Sequence, residues 1–165
     1  MTIYFYKVNE PYGCFSNFSP HSIYLKSRLW PTTEHYYQAQ KFIGTEHEFL
    51  VFAILQAPTP EAAAAIGRNP KHAVRSDWQQ VKKPVMRVAV LTKFLTHLDI
   101  QAILLATNDQ LIVENSPTDT FWGCGLDGTG ENQLGKVLMS VRQEILLKVF
   151  KAYQSGPQSE SDSAH

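Results

Sequence analysis

Glu34, Gln38 and Lys41 recur four and three residues apart in the segment Trp30–Phe42, WPTTEHYYQAQKF. On a helix, that spacing sets a carboxylate, an amide and an amine on one face. Thr32 follows Pro31 and is suited to cap such a helix, predicted to run to about Ile43. Glu34 then falls in the first turn, where the helix dipole favours negative charge. His35, Ala39 and Phe42 form the opposite, apolar stripe, and His35 reads as a hydrogen-bonded core histidine. If the polar face looks outward, it is an ordinary solvated surface with a weak ion pair. If it looks into a cleft, three functional groups converge on one ligand. Trp30, Tyr36 and Tyr37 favour the cleft, because such aromatics usually bury.

Two further segments concentrate polar and aromatic groups. In Gly13–Phe18, GCFSNF, Phe15 and Phe18 bracket Ser16 and Asn17. This could clamp a planar base while Asn17 reads its edge or a sugar hydroxyl. The plainer reading is an ordered turn with two core phenylalanines. In Asp119–Met139, Gly123, Gly125 and Gly128 match G-x-G-x-x-G, and Gly130 follows shortly before a helix. The dinucleotide fingerprint fails, because Ser116–Thr120 separates the glycines from the preceding strand and Glu144 lies within a helix. What remains is a loop cradling phosphate or ribose, or a flexible connector. Asp119 and Trp122 at its entrance offer a second carboxylate and a stacking face. Arg68, after the helix stop at Gly67, is either a bidentate phosphate donor or a surface arginine. Trp78 reads as core, with stacking on a base as the alternative. There is no H-E-x-x-H, no G-x-S-x-G and no histidine in recognisable register with Cys14 or Cys124. The sequence therefore gives no reason to expect a metal, a cofactor or a nucleophilic triad.

The elements that must hold these residues read as follows. Thr2–Tyr6 is a strand, and Ile23–Leu25 and Arg28–Trp30 flank Lys26-Ser27 as a short hairpin. Thr45 and Glu48 have capping-box spacing and open a helix to about Leu55. Thr59-Pro60-Glu61 opens another that Gly67 stops. Pro84 starts a helix through Leu95 with Val85, Val88, Leu91 and Leu95 as its apolar stripe. Leu98–Ala106 is helical and Gln110–Glu114 is a strand. The last helix starts near Asn132, itself counted among the substrate-binding candidates, with Leu134, Leu138, Val141, Ile145 and Val149 in period. The expected fold class is α+β, mostly helical, with a small N-terminal antiparallel sheet. One domain over 1–150 is expected, followed by a disordered tail over 151–165 rich in serine and acid.

The chain has 165 residues, with 15 basic and 15 acidic side chains that cancel. No overall basic field exists to hold a stable nucleic-acid partner. No apolar run is long enough to span a bilayer. With no recognisable signal peptide and no C-x-x-C, a reducing, cytoplasmic setting is expected. The oligomeric state is not specified by the sequence.

Taken together, GCFSNF, WPTTEHYYQAQKF and the FWGCG–DGTGENQLGKVLM block resemble the NADAR domain family, in its YbiA-like branch, from about Ile3 to Leu147. The resemblance implies an N-glycosidase that cuts a ribosyl carbon–amine bond. The implied substrate is a phosphoribosylamino-pyrimidine of the riboflavin pathway, which would release ribose 5-phosphate, or else ADP-ribosylated guanine. It maps the family's acid onto Glu34, its lysine onto Lys41 and its pocket tryptophans onto Trp78 and Trp122. Cys124 departs from the aspartate of some YbiA-like members. On this reading Glu34 is a general acid–base and Asp119 steadies a developing cation. Lys41 is an alternative nucleophile through a Schiff base. Phe15, Trp78 and Trp122 hold the ring, with Ser16, Asn17 and Gln38 beside it. Arg68 and the loop at Gly123 hold phosphate. A non-catalytic ADP-ribose-binding module is the reading from a different class.

Overall fold

The computed structural model describes residues 1–156, in the order β1 (Thr2–Phe5), β2 (Ile23–Leu25), β3 (Arg28–Trp30), α1 (Thr33–Gln40), α2 (Leu50–Leu55), α3 (Pro60–Gly67), α4 (Trp78–Thr96), α5 (Leu98–Leu105), β4 (Leu111–Glu114) and α6 (Gln133–Gln154). The fold class is the expected α+β. Its strands form two separate ladders: β2 and β3 pair antiparallel, whereas β1 pairs in parallel with β4, Thr2 opposite Leu111 and Phe5 opposite Glu114. The N-terminal strand is thus not part of an antiparallel sheet. A parallel pair needs a long crossover, and here the connection includes helices α1 to α5. The hairpin turn does use Lys26 and Ser27, both left-handed at φ 51° and 61°, which is the twist a two-residue hairpin requires.

Two cores meet along α4. Ile3, Phe5, Phe15, Phe94, Leu104, Ile112, Leu138 and Val141 belong to one, under the parallel ladder. Trp30, Tyr36, Ala39, Phe42, Val51, Ile54 and Ala63 belong to the other, and Val85 of α4 touches both. Helix α1 packs against α2, α3 and α4, so every residue from Thr33 to Gln40 is buried. Thr32 caps it, its hydroxyl accepting from the His35 amide at 3.2 Å. His35 is the core histidine expected, held between Thr32 and the Ala57 carbonyl.

Several boundaries differ from the sequence reading. Helix α1 ends at Gln40 rather than Ile43, and the following turns lead to Gly44 at φ 75°. Glu48 accepts from the Gly44 amide and Thr45 from the His47 amide, so both close a turn and α2 starts only at Leu50. Helix α4 starts at Trp78 and carries Pro84 inside it. Its buried face is Met86, Ala89, Val90, Lys93 and Phe94, while Val88 and Leu95 are exposed. The predicted stripe has the wrong phase, because the helix turns Lys93 inward beside Ala89, Val90 and Phe94. Helix α6 buries Leu134, Leu138, Val141 and Ile145 but leaves Val149 exposed. It also continues through Gln154, past the expected domain end at 150. The rest of the expected tail, 157–165, lies outside the described residues. Among the described residues, no single helix is long and apolar enough to cross a membrane.

Candidate active site

The polar face of α1 looks inward, onto a chamber of about 200 Å³ lined by Glu34, Gln38 and Lys41. The chamber shares Ser16, Phe18, Arg68, Glu114 and Asp119 with a wider cleft of about 860 Å³, whose walls include Tyr6, Glu61 and Phe121. Gln38 Nε2 donates to Glu34 Oε1 at 2.6 Å, and Arg68 Nη2 lies 3.8 Å from the same oxygen. Lys41 Nζ donates to the Gly67 carbonyl at 3.3 Å and stands 5.6 Å from the centre of the Tyr37 ring. Asp119 Oδ1 accepts from the Phe121 and Trp122 amides, which fixes the carboxylate and leaves Oδ2 for a ligand. Trp122 Nε1 in turn donates to the Tyr37 hydroxyl at 3.2 Å.

The GCFSNF loop reaches the chamber because the Glu34 amide donates to the Asn17 carbonyl, joining it to the first turn of α1. Beneath it lies Lys93, fully buried, donating to the Ser16 carbonyl at 2.9 Å and to Ser19 Oγ at 2.6 Å. Burial pushes this amine down to about 7, since a charged ammonium without water is strongly disfavoured. Three acceptors on residues of the chamber wall, Asn17 Oδ1, Gln38 Oε1 and Glu114 Oε2, are buried with no hydrogen-bond donor among the described residues. Such groups are uncommon in native proteins, and around a cavity they mark where a ligand's donors fit.

Burial also governs the ionisable groups. It raises Glu34 above the usual carboxylate range, outweighing Gln38, Arg68 and Lys41, and Asp119 adds to the rise. It lowers Lys41 to about 8, with Arg68 and Lys82 pushing the same way against the pull of Glu34. Glu114 is raised to about 8, first by burial and then by Asp119 and Glu34, with Arg68 opposing.

Of the residues singled out from the sequence, Glu34, Lys41, Asp119, Ser16, Asn17, Gln38, Arg68 and Trp122 border the chamber together. Four others do not. Phe15 is core, edge-on to Phe5 and Phe94. Trp78 is buried behind Tyr37, with ring centres 5.1 Å apart. Asn132 is spent inside the fold, accepting from the Glu114 amide and donating to the Ile112 carbonyl, each at 2.9 Å. Gly123 is a packing glycine, where a Cβ would meet Ser116 at 2.8 Å. Nor is the glycine loop a phosphate cradle: the amides of Gly125, Gly128, Thr129 and Gly130 all donate within the loop or to Asp119. Glu114, Tyr37 and Met86 belong to the chamber and were not foreseen there, while Phe18, expected as one side of an aromatic clamp, lines it without Phe15. The one sequence signal for Glu114 is an acid closing an otherwise apolar strand. Among the described residues, no group of three or more His, Cys, Asp or Glu side chains is placed to hold a metal ion.

The NADAR domain profile matches residues 4–146. The chain belongs to the NADAR domain family. A Nostoc punctiforme protein named N-glycosidase is 61% identical over 93% of this chain and 100% of its own length. The N-glycosidase YbiA of Shigella boydii is 40% identical over 88% of this chain and 89% of its own. A maize chloroplastic protein named for riboflavin biosynthesis is 45% identical over 87% of this chain, which spans only 25% of that longer protein. The solution structure of Escherichia coli YbiA superposes with a TM-score of 0.84 at 38% identity, over 92% of this chain and 89% of that one. With full-length relatives at these identities named N-glycosidases, the chain is an enzyme of the glycosyl-hydrolase class.

Proposed function

We propose that this enzyme hydrolyses the ribosyl carbon–nitrogen bond of a phosphoribosylamino-pyrimidine of riboflavin biosynthesis, releasing ribose 5-phosphate. The observation that carries the proposal is the chamber itself. Carboxyls from α1, β4 and the loop after it surround a space the size of a sugar, beside the half-buried Lys41 amine and a guanidinium. The chemistry matches the need: an amine leaves poorly, and its departure builds positive charge on the anomeric carbon. Asp119 Oδ2 faces that charge, and Glu34 is the general acid–base that takes a proton from the attacking water. Asn17 Oδ1 accepts from a sugar hydroxyl, meeting the donor it lacks. Arg68, with its side chain largely exposed, and Lys41 present positive charge to the 5-phosphate. Lys41, lowered to about 8, also has enough neutral amine near neutral pH to attack the sugar carbon and form a Schiff base. The pyrimidine lies in the outer cleft near Phe18 and Phe121. The maize relative's name supports the riboflavin assignment. Free thiols at Cys14 and Cys124 suit a reducing compartment, and the cytoplasm is the proposed place of action.

A second reading, removal of ADP-ribose from the amino group of guanine, is favoured by the outer cleft, whose roughly 860 Å³ exceeds what a pyrimidine fills. The test is a side-by-side assay of the protein and its Glu34→Gln variant on both substrates. Release of ribose 5-phosphate alone is expected, with turnover abolished and binding retained in Glu34→Gln. Release of ADP-ribose alone would establish the second reading, and full activity in Glu34→Gln would remove Glu34 from the chemistry.

A further inference from the structure

Cleavage of a ribosyl–amine bond by water uses two faces of the anomeric carbon. Water arrives on one, and the amine departs from the other. A single carboxyl cannot both deprotonate the water and protonate the amine in one displacement, which is why glycosidases carry two. Glu34 faces the sugar chamber only, whereas Glu114 and Asp119 line both the chamber and the outer cleft, and Asp119 is held as an acceptor by the Phe121 and Trp122 amides. A sugar in the chamber with its ring in the cleft puts the scissile bond at their junction, where Glu114 stands.

The surroundings of the two acids differ in the same sense. Glu34 Oε1 receives the Gln38 amide at 2.6 Å and has Arg68 at 3.8 Å, and both oppose the rise that burial imposes on it. Glu114 Oε2 is buried with no donor among the described residues, and Asp119 and Glu34 press on it as like charges. Burying a second or third bare carboxylate there is strongly unfavourable, so Glu114 keeps its proton where Glu34 has partners for its charge. The strand that carries Glu114 is fixed behind it, since its amide donates to Asn132 and its carbonyl accepts from Cys124.

We infer that Glu114 is the general acid that protonates the departing amine, while Glu34 serves the water on the opposite face. This rests on the proposed hydrolysis of a ribosyl carbon–nitrogen bond. The Glu114 O–H bond breaks as an N–H bond forms, and the electron pair of the carbon–nitrogen bond goes to nitrogen, which leaves as a neutral amine. Water oxygen bonds to the anomeric carbon and gives one proton to the Glu34 carboxylate. Proton exchange through solvent then restores both carboxyls.

The experiment is a leaving-group series: 5-phosphoribosyl arylamines whose amines span a wide range of basicity, assayed for ribose 5-phosphate release. A general acid matters most when the leaving group is most basic. Glu114→Gln is expected to lose about 10²–10⁴-fold in kcat with the most basic amine and under about tenfold with the least basic. Glu34→Gln is expected to lose activity across the whole series. Because the readout is the slope within one preparation, a partly misfolded variant does not mimic it. A Glu114→Gln loss uniform across the series, or no loss, overturns the inference and leaves the hydrolysis standing. Release from none of the series by the unaltered protein overturns the hydrolysis itself.

Discussion

Gly67 has two duties at the site, and its replacement by alanine separates geometry from stability. It ends α3 against α1, and its carbonyl accepts from Lys41. A Cβ there would fall 2.0 Å from Gln38 Oε1 and 2.8 Å from Gln38 Cβ. Ordinary contacts begin near 3.5 Å, so the carboxamide must retreat by more than about 1 Å. That movement breaks the 2.6 Å bond from Gln38 to Glu34. Overpacking costs about 1–3 kcal/mol, and alanine returns about 1 kcal/mol of helix propensity, leaving a net loss of about 0–2 kcal/mol. In a chain this long, that lowers the melting temperature by no more than about 8 °C. Misplacing a positioned group by 1 Å costs about 10²-fold in rate, so activity falls far more than stability. Because the Gln38 bond lowers Glu34, its loss raises Glu34 further and moves the acid limb of the kcat/KM profile to higher pH. The assay is kcat/KM against pH on the phosphoribosylamino-pyrimidine, with a thermal melt on the same preparation. A rate within threefold of the parent and an unmoved acid limb would refute the claim that Gln38 sets the state of Glu34.

Two other substitutions probe the supports of the site. Lys93 is lowered to about 7 in the folded chain from an ordinary 10.5, so the unfolded chain binds the extra proton between those values. Stability therefore rises with pH across that window, by at most about 1.4 kcal/mol per unit. In Lys93→Met that component vanishes, so urea midpoints of parent and variant are expected to diverge between pH 7 and pH 10. Parallel midpoints would mean that Lys93 stays charged beneath the loop. Asn132→Ala leaves the Glu114 amide and the Ile112 carbonyl without partners, at about 1–3 kcal/mol each. It also places alanine at φ 51°, at about 1–2 kcal/mol, so a loss of about 3–8 kcal/mol in denaturant is expected. A raised KM at unchanged stability would restore Asn132 to the binding site.

How far the sequence could be read is decided by which interactions are local. The period of Glu34, Gln38 and Lys41 and the Thr32 cap are set within one helix, and both were legible. Whether that polar face met solvent or a cavity depended on α2, α3 and α4 closing around it, which no window of α1 contains. The glycines of Gly123–Gly130 read as a loop cradling phosphate or ribose, or as a flexible connector. The amides of Gly125, Gly128, Thr129 and Gly130 instead go to acceptors within six residues of themselves, a turn geometry that residue types alone do not specify. Lys93 was illegible for a related reason. Hydropathy places lysine outside, and only the distant Ser16 and Ser19 make an inward lysine tolerable and shift the phase of α4.

The position of Glu114 ties the small parallel ladder to the chemistry. β1 pairs with β4 residue by residue, Phe5 opposite Glu114, so the strand that closes the main core also ends at the chamber. Asp119 follows on the loop and Glu34 arrives from α1, which places three carboxyls against the charges of Lys41 and Arg68. Left empty, this arrangement opposes folding, since burial raises both Glu34 and Glu114 and like charge reinforces the rise. On the proposed hydrolysis, a substrate that becomes positive at its anomeric carbon reverses that balance as its bond breaks. Asp119, already fixed by the Phe121 and Trp122 amides, then needs no reorganisation, so on that reading the cluster that costs stability in the resting protein also lowers the barrier.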